Sequence, residues 1–216
     1  LIRAVHEVDG IERIRLGSLE PGIITEEFAR ELSRIPEICP HFHLSLQSGC
    51  DATLKRMNRR YTSAEYAEKC RILRKYFDDP ALTTDVIVGF PGETEEEFRA
   101  SYDFVDSIDF YETHIFKYSR RNGTKAAVMP DQVSEQVKAE RSAAMIGLGE
   151  RKRAAYEKQY VGREVEVLVE EDAVMDGRCV QVGHTKEYIK VALESNEDLK
   201  NRIVKVRIEN DSQIMH

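Results

Sequence analysis

A strand-then-helix rhythm that repeats four times and then stops is the strongest constraint on this chain. The strand-like segments are IERIRL (11–16), HFHLSL (41–46), TTDVIVG (83–89) and ETHIFKYS (112–119). Helical patterns follow over 25–35, from Thr62 onward, over 95–107, and along an Ala- and charge-rich run from about 134 to 156. The helix starts carry local signals. Thr25 is placed to cap, with Glu26 and Glu27 in the first turn, where the helix dipole favours anions. Thr62 with Glu65, and Thr94 with Glu97, have capping-box spacing. Strands alternating with helices imply βαβ crossovers and a parallel sheet.

After Tyr160-Val161-Gly162 the period changes. REVEVLVEE (163–171), RCVQVG (178–183), EYIKVAL (187–193) and NRIVKVRIE (201–209) alternate apolar with polar residues. Turn residues separate them at Asp176-Gly177, Gly183-His184-Thr185 and Ser195-Asn196. Short alternating strands at close spacing indicate a small antiparallel β-barrel. The chain therefore reads as α/β, with a partial (β/α) barrel over 1–159 and an antiparallel β-barrel over 160–216. It opens with LIRAVHEVDG, an apolar helical pattern without an initiator Met. That opening reads as the continuation of a longer protein.

With 41% hydrophobic and 33% charged residues among 216, the composition suits a soluble globular chain. No apolar run approaches the ~20 residues of a membrane span, so the cytoplasm is the expected compartment and no membrane partner is expected. The net charge of −7 excludes a global field for nucleic acid, so any RNA contact must use a local basic patch. Cys39, Cys50, Cys70 and Cys179 match no zinc or iron–sulfur spacing and read as free thiols. No metal ligand is expected in this chain.

In parallel α/β folds, ligands bind at the carboxyl ends of the strands. The four ends here are polar or glycine-rich: Gly17-Ser18-Leu19-Glu20, Gln47-Ser48-Gly49, Gly89-Phe90-Pro91-Gly92-Glu93 and Tyr118-Ser119-Arg120-Arg121. A polar loop explains any one of them; the set of four favours a ligand face. Its residue types suit a zwitterionic, ribose-containing ligand. Glu20 and Asp85 accept from ammonium or hydroxyl groups, and Gln47 both donates and accepts at a diol. Arg59 holds a carboxylate bidentately, and Gly89 lets backbone approach a flat ring. Asp85 lies inside an apolar strand, where an unpaired carboxylate is costly.

The stretches LSLQSGCDATLKRMNRRYT, TDVIVGFPGETEEEF and HIFKYSRRNGTKAA resemble the second half of the radical S-adenosylmethionine barrel of tRNA methylthiotransferases. LVEE, VGHTKEYIKV and NRIVKVRI resemble the RNA-binding TRAM domain that ends those enzymes. HFHLSLQSGC and KYSRRNGT look most like the branch acting on threonylcarbamoyladenosine beside the anticodon. The isopentenyladenosine branch is the nearest competitor.

The resemblance implies S-adenosylmethionine as cofactor, tRNA as partner, and methylthio transfer to adenine C2. It also implies two four-iron four-sulfur clusters, neither ligated by this chain, which lacks the CxxxCxxC triad and is expected to be inactive alone. By the same resemblance, Glu20 takes the methionine ammonium and Arg59 its carboxylate. Gln47 and Asp85 hold the ribose, with Ser48 beside them, and the backbone of Val88 and Gly89 flanks adenine. Tyr118, Ser119 and Arg121 face the substrate nucleotide, and Lys186 and Lys190 face tRNA.

Plainer readings stand beside these. Glu20 also fits an acid leading a helix before Pro21, and Arg59 a solvated charge. Lys55, Arg56 and Arg60 read as surface or tRNA-facing charges, and Arg151, Lys152 and Arg153 as a solvated helix face. His43 and His114 read as packed strand residues without chemistry, His41 as exposed, and Gly177 and Gly183 as turn glycines. Residues 160–216 hold eight Lys/Arg against twelve Asp/Glu, net −4, which is poor for phosphate neutralisation. A non-catalytic tRNA-binding module is the second functional reading. A phosphate-binding barrel enzyme is the third, weakened by the lack of a phosphate-cradle loop.

Overall fold

The computed structural model of the chain describes residues 1–175 and 177–215. They form two compact units. One comprises Leu16–Pro36 and Phe42–Arg153; the other comprises Leu1–Arg15, Glu37–His41 and Ala154–His216.

The larger unit holds a three-stranded parallel sheet in the order β1 (His41–His43), β2 (Ala81–Val88), β3 (Glu112–Lys117). After α1 (Ile2–His6), which belongs to the other unit, helices α2 (Glu26–Leu32), α3 (Asp51–Arg56), α4 (Ser63–Tyr76) and α5 (Glu95–Ile108) follow the rhythm of the sequence. The long α6 spans Glu135–Lys158. Thr25 caps α2 by accepting from the Phe28 amide, and both capping boxes, Thr62/Glu65 and Thr94/Glu97, form.

Segment 11–16 is not a strand. Ile14 makes one parallel bridge to Ile38, and Leu19 another to Leu44. The next amide on that side of the ladder, His41, donates instead to the Cys39 carbonyl at 2.8 Å, so the pairing stops. The strand expected over 41–46 is likewise short, with Gln47 adding one isolated bridge to Val86.

Side chains alternate between the two faces of a strand. Leu44, Leu46, Leu82, Thr84, Val86 and Val88 are buried on one face, with Tyr66, Cys70 and Leu73 of α4 and Val105 and Ile108 of α5 among the buried core. The Tyr66 hydroxyl donates to the Leu44 carbonyl at 2.8 Å, so this buried polar group is satisfied. The opposite face carries His43, Asp85, Ile87, His114 and Phe116, which are half-buried or exposed.

The smaller unit is built on a four-stranded antiparallel sheet, order β6 (Lys190–Leu193), β5 (Arg178–His184), β4 (Glu164–Met175), β7 (Ile203–Arg207). The register of β4 against β5 shifts between Val169 and Glu171. Gly183 sits inside β5 rather than in a turn. A Cβ there would lie 2.0 Å from the Leu168 carbonyl oxygen, so the bulge requires glycine. Gly177 has a positive φ of 76° and turns the chain as expected; Asp176 of that turn lies outside the described residues. His41 is buried rather than exposed, with its ring 5.2 Å from Tyr188.

Thr94→Ala is expected to destabilise the larger unit by about 1 kcal/mol, read as a lower urea midpoint; an unchanged midpoint would show that the box is idle. Burial pushes the Cys70 thiol up to about 12. Because the folded value is raised, its contribution to stability is complete below the ordinary thiol value and is lost as the pH climbs toward 12. Iodoacetamide at pH 8 should therefore modify exposed Cys179 and spare Cys70, checked by peptide mass spectrometry.

Candidate functional site

The C-terminal ends of β1 and β2 meet through backbone bonds. The Gln47 amide donates to the Asp85 carbonyl at 2.8 Å, and the Ile87 amide donates to the Gln47 carbonyl at 2.9 Å. Gln47 has φ 70°, a left-handed conformation uncommon outside glycine. This turns the chain directly into buried Ser48 and α3. The Ser48 hydroxyl accepts from the Cys50 amide at 3.2 Å, and the Gly49 amide donates to Ser101 Oγ at 2.8 Å.

Tyr61 closes this end. Its hydroxyl lies 2.9 Å from the carbonyl oxygens of both Ser45 and Leu46. Burial raises the Tyr61 pKa; the positive charge of Arg59 lowers it and the negative charge of Glu20 raises it. The fold thus brings Glu20 and Arg59, 39 positions apart, into electrostatic reach of one hydroxyl. Left-handed Asn58 (φ 59°) ends α3 immediately before Arg59. Arg59 Nε is buried and meets no acceptor among the described residues, while Glu20 is exposed.

The other cations of this stretch have different duties. Arg56 is not a free surface charge: it donates to both Glu97 carboxylate oxygens and to the Pro91 carbonyl. The hydrogen bond to Arg56 holds the Glu97 carboxyl below its ordinary value. Lys55 and Arg60 are exposed. Arg60 and Tyr61 line a cleft of about 260 Å³ with Pro21, Gly22, Glu65 and Lys69.

The Gly89–Glu93 loop is braced from beneath. Glu93 Oε1 accepts from the Gly89 amide at 2.8 Å and from Arg141 Nη1 at 2.7 Å, with both side chains of the ion pair buried. Burial pushes the Glu93 carboxyl up, against the pull of Gly89 and Arg141. A Cβ on Gly89 (φ 72°) would meet Lys138 Cγ at 2.3 Å, so the lysine stem occupies the space a side chain would need. The Val88 carbonyl accepts from the Tyr118 amide at 2.9 Å.

Tyr118 packs edge-on to Phe90, with ring centroids 5.3 Å apart, and its buried hydroxyl has no hydrogen-bond partner among the described residues. Ser119 and Arg121 are exposed.

Asp85 lies four residues before Gly89, on the open face of the sheet. Its Oδ2 is 3.3 Å from His43 Nε2, and β2–β3 register sets it beside His114. The partner that an embedded carboxylate needs is thus a histidine from the neighbouring strand. Arg151, Lys152 and Arg153 are not a simple solvated face: Arg151 donates to the Tyr102 hydroxyl, Lys152 pairs with Asp106 and Asp109, and Arg153 lies 3.6 Å from Glu112. Nothing in the local sequence around Arg56, Glu93 or Arg141 signals these partners, which lie 41 to 48 positions away.

In the smaller unit, Lys190 pairs with Glu171 at 3.1 Å and Arg178 with Glu194 at 3.1 Å. Lys205 and Arg207 stand opposite Glu166 and Glu164 across the β4–β7 ladder. Tyr188 is held between cations and rings: the Arg15 guanidinium carbon lies 3.2 Å from its centroid, and His184 stacks on it at 4.2 Å. A groove of about 690 Å³ is lined by Arg178, Val180, Leu193, Val204, Lys205 and Asn210 among others.

The sequence profile of the Radical SAM superfamily matches residues 1–105. The fold agrees: the chain aligns with coproporphyrinogen III oxidase of Escherichia coli, described as a radical SAM enzyme, at a TM-score of 0.55 and 14% identity, over 81% of this chain and 46% of that one. The profile match takes in just under half of the chain. The chain is also 43% identical over 202 residues to the threonylcarbamoyladenosine tRNA methylthiotransferase MtaB of Bacillus subtilis, covering 93% of this chain and 45% of that protein. It is 38% identical over 208 residues to the tRNA-2-methylthio-N(6)-dimethylallyladenosine synthase of Alkaliphilus oremlandii, covering 96% and 44%. The chain spans less than half the length of these curated relatives. No helix among the described residues is long and apolar enough to cross a membrane.

The residues present fit S-adenosylmethionine at one observed point, the buried Arg59 Nε, which meets no acceptor among the described residues. They do not fit an iron–sulfur cluster. Cys39 and Cys70 are buried, Cys179 is exposed, and no three cysteines come together among the described residues. Arg141→Ala should cost roughly 3–5 kcal/mol by leaving Glu93 as an uncompensated buried charge, measured by chemical denaturation; a loss below 1 kcal/mol would show that the loop does not depend on the pair.

Proposed function

We propose that this chain is the cofactor-binding and tRNA-facing part of a tRNA methylthiotransferase that acts on threonylcarbamoyladenosine next to the anticodon. The observation that carries the reading is Arg59: a guanidinium whose buried Nε lacks an acceptor at the carboxyl edge of a parallel sheet. Such a donor costs free energy until an acceptor arrives, and a carboxylate suits it best. Arg59 takes the methionine carboxylate and Glu20 its ammonium. Gln47 and the Asp85 oxygen not turned to His43 hold the ribose hydroxyls, with Ser48 supporting the turn. The backbone of Val88 and Gly89, braced by Glu93, flanks the adenine.

The bound cofactor supplies radical chemistry and the methyl group, with two iron–sulfur clusters ligated outside this chain, which alone is inactive. Tyr118, Ser119 and Arg121 meet the nucleotide, and Lys186 and Lys190 meet tRNA phosphates. Lys190 must exchange Glu171 for phosphate, a small cost for an exposed pair. The threonylcarbamoyladenosine branch is supported by 43% identity sustained over 202 residues, against 43% over 171 or 38% over 208 for dimethylallyladenosine synthases. The protein works in the cytoplasm, where its tRNA is.

The test is to express the complete gene product in a bacterial strain that lacks methylthiolation of threonylcarbamoyladenosine, and to weigh its tRNA nucleosides. The 2-methylthio derivative is expected. Arg59→Ala should weaken cofactor binding by about 10- to 100-fold, the equivalent of ~1.5–3 kcal/mol for a hydrogen bond to a charge. Methylthiolation of dimethylallyladenosine instead would move the protein to the other branch. Salt-sensitive tRNA binding with no new nucleoside would favour the non-catalytic module.

A further inference from the structure

The open face of the parallel sheet carries a group of three side chains of which the cofactor-binding reading uses only one oxygen of Asp85. His43, Asp85 and His114 come from β1, β2 and β3, and each offers one ligand atom within 4.8 Å of the other two. Asp85 and His114 are register partners, and the His43 and His114 rings stack with centroids 5.7 Å apart. His43 Nε2 already lies 3.3 Å from Asp85 Oδ2.

We propose that these three residues bind a divalent transition-metal ion of the zinc or iron(II) class. Two imidazoles and one carboxylate are a donor set these ions accept, with three protein ligands and an open position for water or a ligand heteroatom. Bonds of about 2.0–2.2 Å put tetrahedral ligand atoms roughly 3.4 Å apart. The His43–Asp85 spacing meets that already, and the ligand atom of exposed His114 lies within 4.8 Å of both.

An outer partner is in place as well. His43 Nδ1 lies 3.0 Å from Thr83 Oγ1, on a threonine that is itself buried. If Nδ1 donates to that hydroxyl, Nε2 turns a lone pair toward Asp85. Two acceptors do not face each other at that distance without a cation between them. A proton would satisfy the pair alone; the second histidine on the same carboxylate is what a metal requires. The two uses of Asp85 are compatible, because the ion takes the oxygen facing His43 and leaves the other to the ribose.

The test uses the 216-residue chain, freed of metal by chelation and without cofactor, so its outcome is independent of the cofactor-binding reading. Titration with Co²⁺ should give one saturable site with weak visible absorption and no strong near-ultraviolet thiolate band, displaced by Zn²⁺. His114→Gln, at an exposed position, should weaken binding by more than roughly tenfold, with far-ultraviolet circular dichroism unchanged. His43→Ala and Asp85→Asn should do the same, and Cys179→Ser should leave binding intact. No saturable Co²⁺ binding would overturn the proposal. So would an affinity unchanged by His114→Gln, or a thiolate band lost in Cys179→Ser.

Discussion

Parallel pairing in register, with side chains alternating between two faces, is the constraint on which the larger unit depends. Helices crossing over the sheet bury one face completely, so Leu44, Val86 and Val88 must be apolar. The same alternation commits His43, Asp85, Ile87, His114 and Phe116 to the other face, whatever their polarity. It also carries all three strands to one edge, where Gln47, Gly89 and Tyr118 emerge. The edge proposed for the cofactor and the polar cluster below it are two consequences of one geometry.

The edge is braced by charges that pair with one another. Glu93 takes the Gly89 amide and the Arg141 guanidinium on one carboxylate oxygen, which fixes the β2 loop to α6. Arg56 bridges α3 to the capping Glu97 of α5 and to the Pro91 carbonyl of the same loop. Buried or half-buried ion pairs of this kind add little net stability, because desolvation offsets the attraction. Their contribution is positional. Arg59 keeps a buried Nε with no acceptor among the described residues, and a preformed donor costs less to engage than one recruited from solvent.

The smaller unit handles charge differently. Its sheet pairs Lys190 with Glu171, Arg178 with Glu194, and Lys205 and Arg207 with glutamates across the ladder. An acidic excess is thereby folded into ladders of opposite sign rather than displayed as one field. Any RNA contact here rests on exchanging these exposed pairs, which makes it weak singly and sensitive to salt. Tyr188, clasped by Arg15 and His184, acts as a fastener within the unit and is not available as a stacking platform.

The sequence by itself determined what depends on near neighbours in the chain. Capping boxes at Thr62 and Thr94, the helices they open, the buried strand ending at Gly89 and the alternating strands after residue 162 were all legible, because each signal lies within a few residues of its effect. The strand expected over 11–16 failed because its pairing depends on a distant segment that turns on itself, the His41 amide donating to the Cys39 carbonyl. Only the tertiary structure decided the uses of charge and the polar face of the sheet. Arg56 and Arg59 stand three positions apart with the same side chain, yet one is bound to Glu97 and the other waits with a bare Nε. His43, Asp85 and His114 look unrelated along the chain and become neighbours because three parallel strands bring them to one level. Electrostatic partners and ligand clusters act through space over a few ångströms, and a linear sequence carries that information only through the fold.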